Sequence, residues 1–330
     1  MRSPHGSDGG TSVDGVGIAC SLRPGESRTP ARRTWRRTPP ADPCPAAAPA
    51  FRYDQGVIEL RSRDEIEAMR PAGRFVAAVL TELAERTRVG INVMELDRIA
   101  HAMIREHRAT SCYIDYHPSF GAMPFGKVLC VSVNDAVLHG LPNDRRLRDG
   151  DLVSLDFAAE VDGWVADSSI TIPVGTPRDE DLRQIETAER ALAAGIAAAQ
   201  PGNRLGDISA AVGGVIRGAG YQVNTAFGGH GVGRLMHGPP DVSNDGVAGR
   251  GLALQPGLVI AIEPWFLAGS PEIVTDRDGW TIRSVDGSRG VHVEHTVAIT
   301  AEGPLVLTAR DAARSGSPTA GHSAHTPGSL

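Results

Sequence analysis

LVSLDFAAEVDGWVADSSITI, Leu152–Ile172, decides the fold because two apolar runs flank the dipeptide Asp162-Gly163. Asp-Gly between such runs is typical of a two-residue β-hairpin turn. That turn pairs residue 158 with 167 and residue 156 with 169, so Asp156 and Asp167 lie on one face as diagonal neighbours. A loop one residue longer or shorter would put them on opposite faces. Two surface aspartates on an edge hairpin are the alternative.

Three further side chains that can bind metal ions lie in apolar or glycine-rich stretches. Glu263 ends the apolar run Leu258–Ile262, Glu294 lies in a strand-like apolar stretch, and His230 is surrounded by glycines. An unpaired charge in such surroundings is costly, and carboxylates that meet in a core repel one another unless cations neutralise them. Four carboxylates and one imidazole suit divalent ions, and two ions better than one. The sequence predicts a metal site ligated by Asp156, Asp167, His230, Glu263 and Glu294.

Two other histidines accompany these residues. His237 follows His230 in the same loop, and His139 lies in a turn-rich stretch after the apolar run 128–133. Taken singly, each fits a loop or turn histidine without a chemical role, but the nearby acids favour a role at the site. The glycines around His230 permit close backbone approach to a ligand. They also resemble a phosphate loop, but no Lys-Ser/Thr follows, so we discount that interpretation.

Composition excludes several classes of protein. The chain has 330 residues and 41% apolar content, enough for one large or two ordinary domains. Its formal charge of -6 means that the whole protein has no basic excess for binding nucleic acid. No apolar stretch is long enough for a membrane span, and no secretory signal is expected, because the first residues lack a charged region followed by an apolar one. The four cysteines form no CxxC motif. Reduced thiols in a cytoplasmic protein are therefore expected.

The chain is expected to have three parts. Residues 1–50 contain 8 Pro, 6 Gly and 7 Arg against 4 acidic residues and lack apolar periodicity, which predicts a disordered, mildly basic arm over residues 1–56. A polyproline docking segment at residues 40–43 and an organelle transit peptide are alternative interpretations of this arm. Residues 57–308 are expected to form the folded domain. Residues 309–330, rich in Ser, Gly, His and Pro, are expected to form a disordered tail.

Periodicity predicts the elements of the folded domain. Ser62-Arg63-Asp64-Glu65 is a capping box that begins a helix, in which Pro71 predicts a kink or a restart. Further helices are expected near residues 94–108, 180–199 and 206–218, and strands near 128–133 and 152–172. The remaining part, residues 221–308, is expected to contain strands and loops.

An internal repeat is visible in the helical segments. Gly90–Arg105 and Gly202–Arg217 resemble each other at a constant offset, and each follows an alanine-rich helix and precedes strands. This pattern predicts an α+β fold with two similar helix-helix-strand halves that face each other across a site. Chance similarity between two helices is the alternative.

Together these motifs resemble the type I methionine aminopeptidases, most closely their bacterial form. The resemblance covers about residues 57–308 and keeps the family's order and spacing. The matching motifs are Val131–Asp135 with His139-Gly140, Asp156 with Asp167, Gly229–His237, Ile262–Pro264, Asp278–Trp280 and Glu294–Thr296. The resemblance implies the pita-bread (creatinase/aminopeptidase) fold, with two pseudo-symmetric halves around a curved antiparallel sheet.

The resemblance also implies a site with two divalent ions, cobalt, manganese, iron or zinc. Asp156 would bind one ion, Asp167 and Glu294 would bridge both, and His230 and Glu263 would complete the second. The ions would activate a water for attack on the first peptide bond. The expected catalytic roles are proton transfer by Glu263, oxyanion stabilisation by His237, and contact with the scissile amide or the leaving amine by His139.

The implied reaction is the metal-dependent removal of the N-terminal methionine from nascent proteins, with a small second residue preferred. Cys130, Trp280 and the loop of Tyr113 and Tyr116 match the lining of the methionine slot, beside the substrate contacts His139 and His237. Phe125, Met236 and Gly238 depart from the common family pattern. The expected partners are nascent polypeptide N-termini and the ribosome, the latter through the arm. No nucleic-acid substrate and no membrane are expected, and the protein is expected to be a monomer.

Two other functions fit part of this pattern. An Xaa-Pro aminopeptidase or dipeptidase has the same fold, but those relatives usually carry a large extra N-terminal domain, and residues 1–56 are poorly suited to folding. A non-catalytic, ribosome-associated binding protein of this fold would typically lose metal ligands, and all five are present here.

Overall fold

The computed structural model describes residues 34–37, 57–118 and 123–310. The four helices that it describes are α1 Arg63–Arg86, α2 Val93–His107, α3 Asp179–Ala198 and α4 Leu205–Gly218. The strands up to α3 are β1 Thr34–Arg37, β2 Val57–Leu60, β3 Thr110–Ser111, β4 Cys130–Val133, β5 Ala136–Leu138, β6 Leu152–Val161 and β7 Trp164–Pro173. The later strands are β8 Gly229–Gly231, β9 Gly238–Val242, β10 Val259–Ile262, β11 Trp265–Leu267, β12 Ile273–Thr275, β13 Ile282–Ser284, β14 Gly290–His292, β15 Glu294–Thr300 and β16 Gly303–Val306.

Helix α1 begins where the sequence predicts it. The backbone of Ser62 donates to the Glu65 carboxylate at 2.8 Å, and the backbone of Glu65 donates to the Ser62 hydroxyl at 3.2 Å, which confirms the capping box. The helix continues through Pro71 without a restart, so that alternative is wrong. Proline deprives the carbonyl of Glu67 of its helical donor, and Glu67 lies on the exposed side, where water can replace that donor.

A nine-stranded antiparallel sheet forms the centre of the domain. Its strand order is β3-β6-β7-β15-β10-β8-β9, with β4 also paired to β6 and β16 to β15. Small sheets β11-β14 and β12-β13-β5 accompany it. Side chains along a strand alternate between the two faces of a sheet. The register between the strands therefore decides which residues share a face.

The β6–β7 hairpin has the predicted register. Asp162 and Gly163 form the turn with φ angles of 52° and 75°, and Val161 pairs with Trp164 across it. Ala158 pairs with Asp167, and Asp156 pairs with Ser169. The prediction that Asp156 and Asp167 share one face is confirmed.

The internal repeat corresponds to two structural halves. Gly90 and Gly202 have φ angles of 86° and 92°, and each precedes the second helix of its half. A further repeat-related pair, Asn92 and Arg204, provides the N-cap residues of α2 and α4, and each forms an isolated antiparallel bridge. One apolar core packs against α1 and α2, and a second packs against α3 and α4. The predicted helix-helix-strand halves are confirmed.

The two ends of the domain differ in part from the expectation. Within the predicted arm, β1 pairs in parallel with β2, whereas the rest of residues 1–56 lies outside the described residues. At the other end, Arg310 donates to the Ser168 hydroxyl at 2.8 Å, so ordered contacts extend past residue 308. Residues 311–330 of the predicted tail lie outside the described residues.

The helices within the described ranges are too short or too polar to cross a bilayer.

We expect Gly163→Ala to lower the free energy of unfolding by about 1 kcal/mol or more, because a side chain at positive φ is strained. An added Cβ would also lie 2.9 Å from the Arg234 guanidinium, which donates to the Gly163 carbonyl. Urea unfolding measures this change. Gly214→Ala is the control, since Gly214 is exposed within α4 with open space around it, and alanine there should stabilise the helix. Equal effects at the two positions would contradict the turn assignment.

Candidate metal centre

A row of paired residues across the sheet carries three of the predicted ligands. Asp156 on β6 pairs with Ser169 on β7, which in turn pairs with Glu294 on β15. Paired residues point to the same side of a sheet. Ile262 pairs with His295, so Glu263, the next residue after β10, continues this row beside Glu294.

An adjacent row on the same face carries the other two ligands. Asp167 lies two residues from Ser169 on β7, and Ala261 on β10 pairs with Thr296, two residues from Glu294. The register of β10 with β8, in which Ile260 pairs with Gly231, brings His230 next to Ala261. All five predicted ligands therefore meet on one face of the sheet.

The potential ligand atoms form three clusters, each with all atoms within 4.8 Å of one another. The clusters are Asp156 with Asp167 and Glu294, His230 with Glu263 and Glu294, and Asp167 with His230 and His237. Glu294 and Asp167 each belong to two clusters. These two carboxylates lie where one side chain can serve two neighbouring ions.

The electrostatics of the cluster favour cations. Burial raises the pKa of Asp167 well above its usual range, and the charges of Asp156 and Glu263 raise it further. Burial likewise raises the pKa of Glu294, with further contributions from Asp167, Glu263 and Asp156. Among the described residues, the buried Oε1 atom of Glu294 has no hydrogen-bond partner. Crowded carboxylates with an unused buried oxygen fit a site for divalent ions.

Glu263 has a different environment from the other carboxylates. Its two oxygens lie 3.6 Å from His230 Nε2 and 3.3 Å from His292 Nε2. Burial acts to raise the pKa of Glu263, but the close contact with His292 and the charges of His230 and His292 outweigh it and lower the pKa. Glu263 is therefore ionised at neutral pH and able to accept a proton.

His292 was not among the residues predicted for the site. It is buried at 2% exposure and ends β14, two residues before Glu294. That spacing of two could have indicated a shared face. The signal was weak because a single histidine in an apolar stretch of sequence does not by itself indicate a chemical role.

His237 lies beside the ligands and contacts both Tyr116 and His230. Its Nδ1 atom and the Tyr116 hydroxyl share a hydrogen bond of 2.7 Å, and its ring packs edge-on against His230 at 4.3 Å. Burial lowers the pKa of His237 well below its usual value, and the charges of His230 and His139 lower it further. The imidazole is therefore neutral near pH 7.

His139 reaches the same cavity from the turn after β5. Its φ of 53° is left-handed, and the following Gly140 packs so closely that a Cβ would lie 2.3 Å from the Val131 carbonyl oxygen. The ring of His139 packs edge-on against Phe227 at 5.2 Å. Burial lowers the pKa of His139. The backbone of this turn therefore directs the His139 ring into the cavity, in contrast to the alternative of a turn histidine without a chemical role.

The ligands and histidines line a cavity of about 460 Å³. The predicted slot residues Cys130, Tyr116 and Trp280 also line it. Phe125 packs edge-on against Trp280 at 5.1 Å, and the tilted rings of Trp280 and Tyr116 are 6.2 Å apart. The cavity therefore has one charged wall and one aromatic wall.

Comparisons with known proteins agree with this geometry. Residues 67–301 match the pattern of Metallopeptidase family M24. The chain is 40% identical over 254 residues to the methionine aminopeptidase of Aquifex aeolicus, covering 76% of this chain and 98% of that protein. It is 41% identical over 259 residues to methionine aminopeptidase 1 of Mycobacterium tuberculosis, covering 76% and 95%. The solved methionine aminopeptidase of Rickettsia prowazekii superimposes with a TM-score of 0.73 at 32% identity, covering 76% of this chain and all of that one.

We expect Asp167→Asn to stabilise the chelator-treated protein by about 1–2 kcal/mol, because the change removes one crowded charge and adds a donor beside Asp156. Urea unfolding at neutral pH in the presence of chelator measures this gain. Asp241→Asn is the control, since Asp241 is an exposed carboxylate on the same cavity and its loss should change little. A destabilised Asp167→Asn protein would contradict the repulsion argument.

Proposed function

This chain belongs to the metallopeptidase family M24 as a methionine aminopeptidase of the bacterial type I, and on that premise we propose how its residues carry out the hydrolysis. It removes the N-terminal methionine from polypeptides. Its fold is the pita-bread fold, an α+β arrangement around a curled antiparallel sheet. The observation that carries the proposal is the convergence of four carboxylates and one imidazole on one face of that sheet.

Two divalent ions fit this set of ligands. Asp156, Asp167 and Glu294 would hold the first ion, and His230, Glu263 and Glu294 the second, with Asp167 also reaching both. Carboxylate oxygens mixed with one imidazole accept cobalt, manganese, iron or zinc. The ions, when bound, would lower the pKa of a water and polarise the carbonyl of the first peptide bond.

Side chains around the proposed ions would carry out the proton transfer, the oxyanion stabilisation and the contact with the scissile amide. Glu263 is ionised and accepts the proton of the attacking water. His237 is neutral and donates to the oxyanion that forms at the carbonyl, while Tyr116 orients its ring through Nδ1. His139 contacts the scissile amide or carries a proton to the leaving amine. Its left-handed turn and its packing against Phe227 hold the ring toward the cavity.

The aromatic wall of the cavity would receive the methionine side chain. Cys130, Tyr116 and Trp280 form an apolar surface with Phe125, and a thioether packs favourably against aromatic edges. His139 and Phe227 pack against each other and line the neighbouring part of the cavity, where the second residue of the substrate would lie. We propose that a small second residue is preferred there.

The substrates are the N-termini of proteins, and nascent chains are the form that we propose. The basic composition of residues 1–56 suits a contact with the ribosome, and the free Cys112 and Cys130 suit a cytoplasmic setting. We further propose that the protein acts as a monomer, since the site is assembled within one chain. Size-exclusion chromatography and ribosome co-sedimentation with and without residues 1–56 test these two points.

We expect His230→Ala to abolish hydrolysis of a Met-Ala-Ser peptide, because the second ion would lose its only imidazole among the five ligands. Peptide cleavage is measured together with metal analysis of protein purified without added salts. His101→Ala on α2, outside the cavity lining, is the control. Near-normal turnover by His230→Ala would reject the metal assignment. Faster cleavage of an Xaa-Pro peptide than of Met-Ala-Ser by the wild-type chain would favour the Xaa-Pro peptidase alternative.

We expect His237→Ala to lower turnover by about 10²- to 10³-fold while bound metal persists, the loss typical of one oxyanion donor. Steady-state kinetics with Met-Ala-Ser and elemental analysis of the same sample measure both quantities. A fall in metal content would show that His237 is a ligand, in line with its place in the cluster with Asp167 and His230.

A further inference from the structure

Tyr113 inserts a hydroxyl into the carboxylate cluster. Its OH donates to Asp156 Oδ1 at 2.7 Å and lies 3.4 Å from Asp167 Oδ1. The side chain is 6% exposed and lines the cavity. Tyr113 comes from the loop after β3, far along the chain from the β6–β7 hairpin that carries the two aspartates.

The hydrogen bond from Tyr113 to Asp156 joins a neutral donor to a carboxylate acceptor. An ionised carboxylate accepts hydrogen bonds and cannot donate them, whereas a phenol hydroxyl donates without adding charge. A donor at 2.7 Å fixes the orientation of the Asp156 carboxylate in a cluster where the other carboxylates would otherwise push it away. A hydrogen bond to a charged group is also stronger than one between neutral groups.

The packing around Tyr113 holds this hydroxyl in place. Its ring packs edge-on against Phe125 at 5.7 Å, and Phe125 packs edge-on against Trp280. Trp280 Nε1 donates to the Met123 carbonyl at 3.0 Å, and the backbone of Phe125 donates to the Tyr116 carbonyl at 3.0 Å. The position of the hydroxyl is therefore set by the packing of the aromatic wall.

We propose that Tyr113 is a positioning residue of the metal centre, whose hydroxyl orients the Asp156 carboxylate for ion binding. This inference rests on the proposed metal site and adds a residue that acts on an ion through Asp156. Partners that hydrogen-bond to metal ligands raise metal affinity because they orient the ligand before the ion arrives. The aromatic wall that would bind methionine thus also supports a ligand of the metal site.

The test is the affinity of the full chain for Mn²⁺, measured by competition with a fluorescent chelator. Tyr113→Phe keeps the ring and removes only the hydroxyl, so we expect its Mn²⁺ dissociation constant to rise by about 10- to 100-fold. At saturating Mn²⁺, hydrolysis of Met-Ala-Ser should return toward the wild-type rate. A role only in packing would leave the dissociation constant unchanged.

Tyr116→Phe is the matched control for metal affinity. Tyr116 lies in the same loop and the same aromatic wall, and its hydroxyl shares a hydrogen bond with His237. We expect its Mn²⁺ dissociation constant to equal that of the wild type. Phe125→Leu, which loosens the ring of Tyr113 and keeps its hydroxyl, should give a smaller rise than Tyr113→Phe.

The possible outcomes distinguish a failure of the Tyr113 inference from a failure of the proposed metal site. Equal dissociation constants for the wild type and Tyr113→Phe would overturn the role of Tyr113 and leave the metal site intact. Equal rises in Tyr113→Phe and Tyr116→Phe would also overturn it, since the effect would then belong to the loop. Absence of Mn²⁺ binding by the wild-type chain would overturn the metal site itself.

Discussion

Repulsion between buried carboxylates is the constraint on which the rest of this structure depends. Strands β7 and β15, which carry Asp167 and Glu294, are paired at only two residue positions. Backbone pairing alone therefore holds these two strands together weakly. Hydroxyl groups complete the connection. The Thr296 hydroxyl accepts from the Asp167 backbone at 2.9 Å and donates to its carbonyl at 2.8 Å, and the Ser168 hydroxyl donates to the Glu294 carbonyl at 2.6 Å. These buried polar groups are satisfied by hydrogen bonds, and they fix the backbone of the acids against their repulsion.

Small residues leave space between the potential ligands. Ala158, Ser169, Ala261 and Thr296 occupy the positions between the ligands on the same face, and larger side chains there would fill the space between the carboxylates. The glycines around His230 have a related cause. A Cβ at position 229 would lie 2.2 Å from the Ala261 carbonyl oxygen, and one at position 231 would lie 2.2 Å from the Pro239 carbonyl oxygen. Strand β8 therefore passes between two backbones where only glycine fits, which explains a glycine pattern that resembled a phosphate loop in the sequence.

Local chemistry determined how much of the fold and site could be predicted. The Asp162-Gly163 turn fixes its own register, and register alone puts Asp156 and Asp167 on one face, so both could be predicted from adjacent residues. The capping box and the helical repeat were predictable for the same reason. Tyr113 as a partner of Asp156 was not, because a loop hydroxyl meets a strand carboxylate only after the aromatic wall has packed. The contact of His292 with Glu263 likewise depends on the approach of two strand ends.

The internal repeat explains why the site needs both halves of the chain. Asp156 and Asp167 come from the hairpin that follows the first helix pair, whereas His230, Glu263 and Glu294 follow the second. Each helix pair packs against its own apolar core. A third apolar cluster contains residues of β6, β7, β10 and β15 together with the cavity aromatics, and it joins the halves beside the carboxylates. The first half thus supplies only oxygen ligands and the second adds the imidazole. Neither half alone carries all five of the potential ligands.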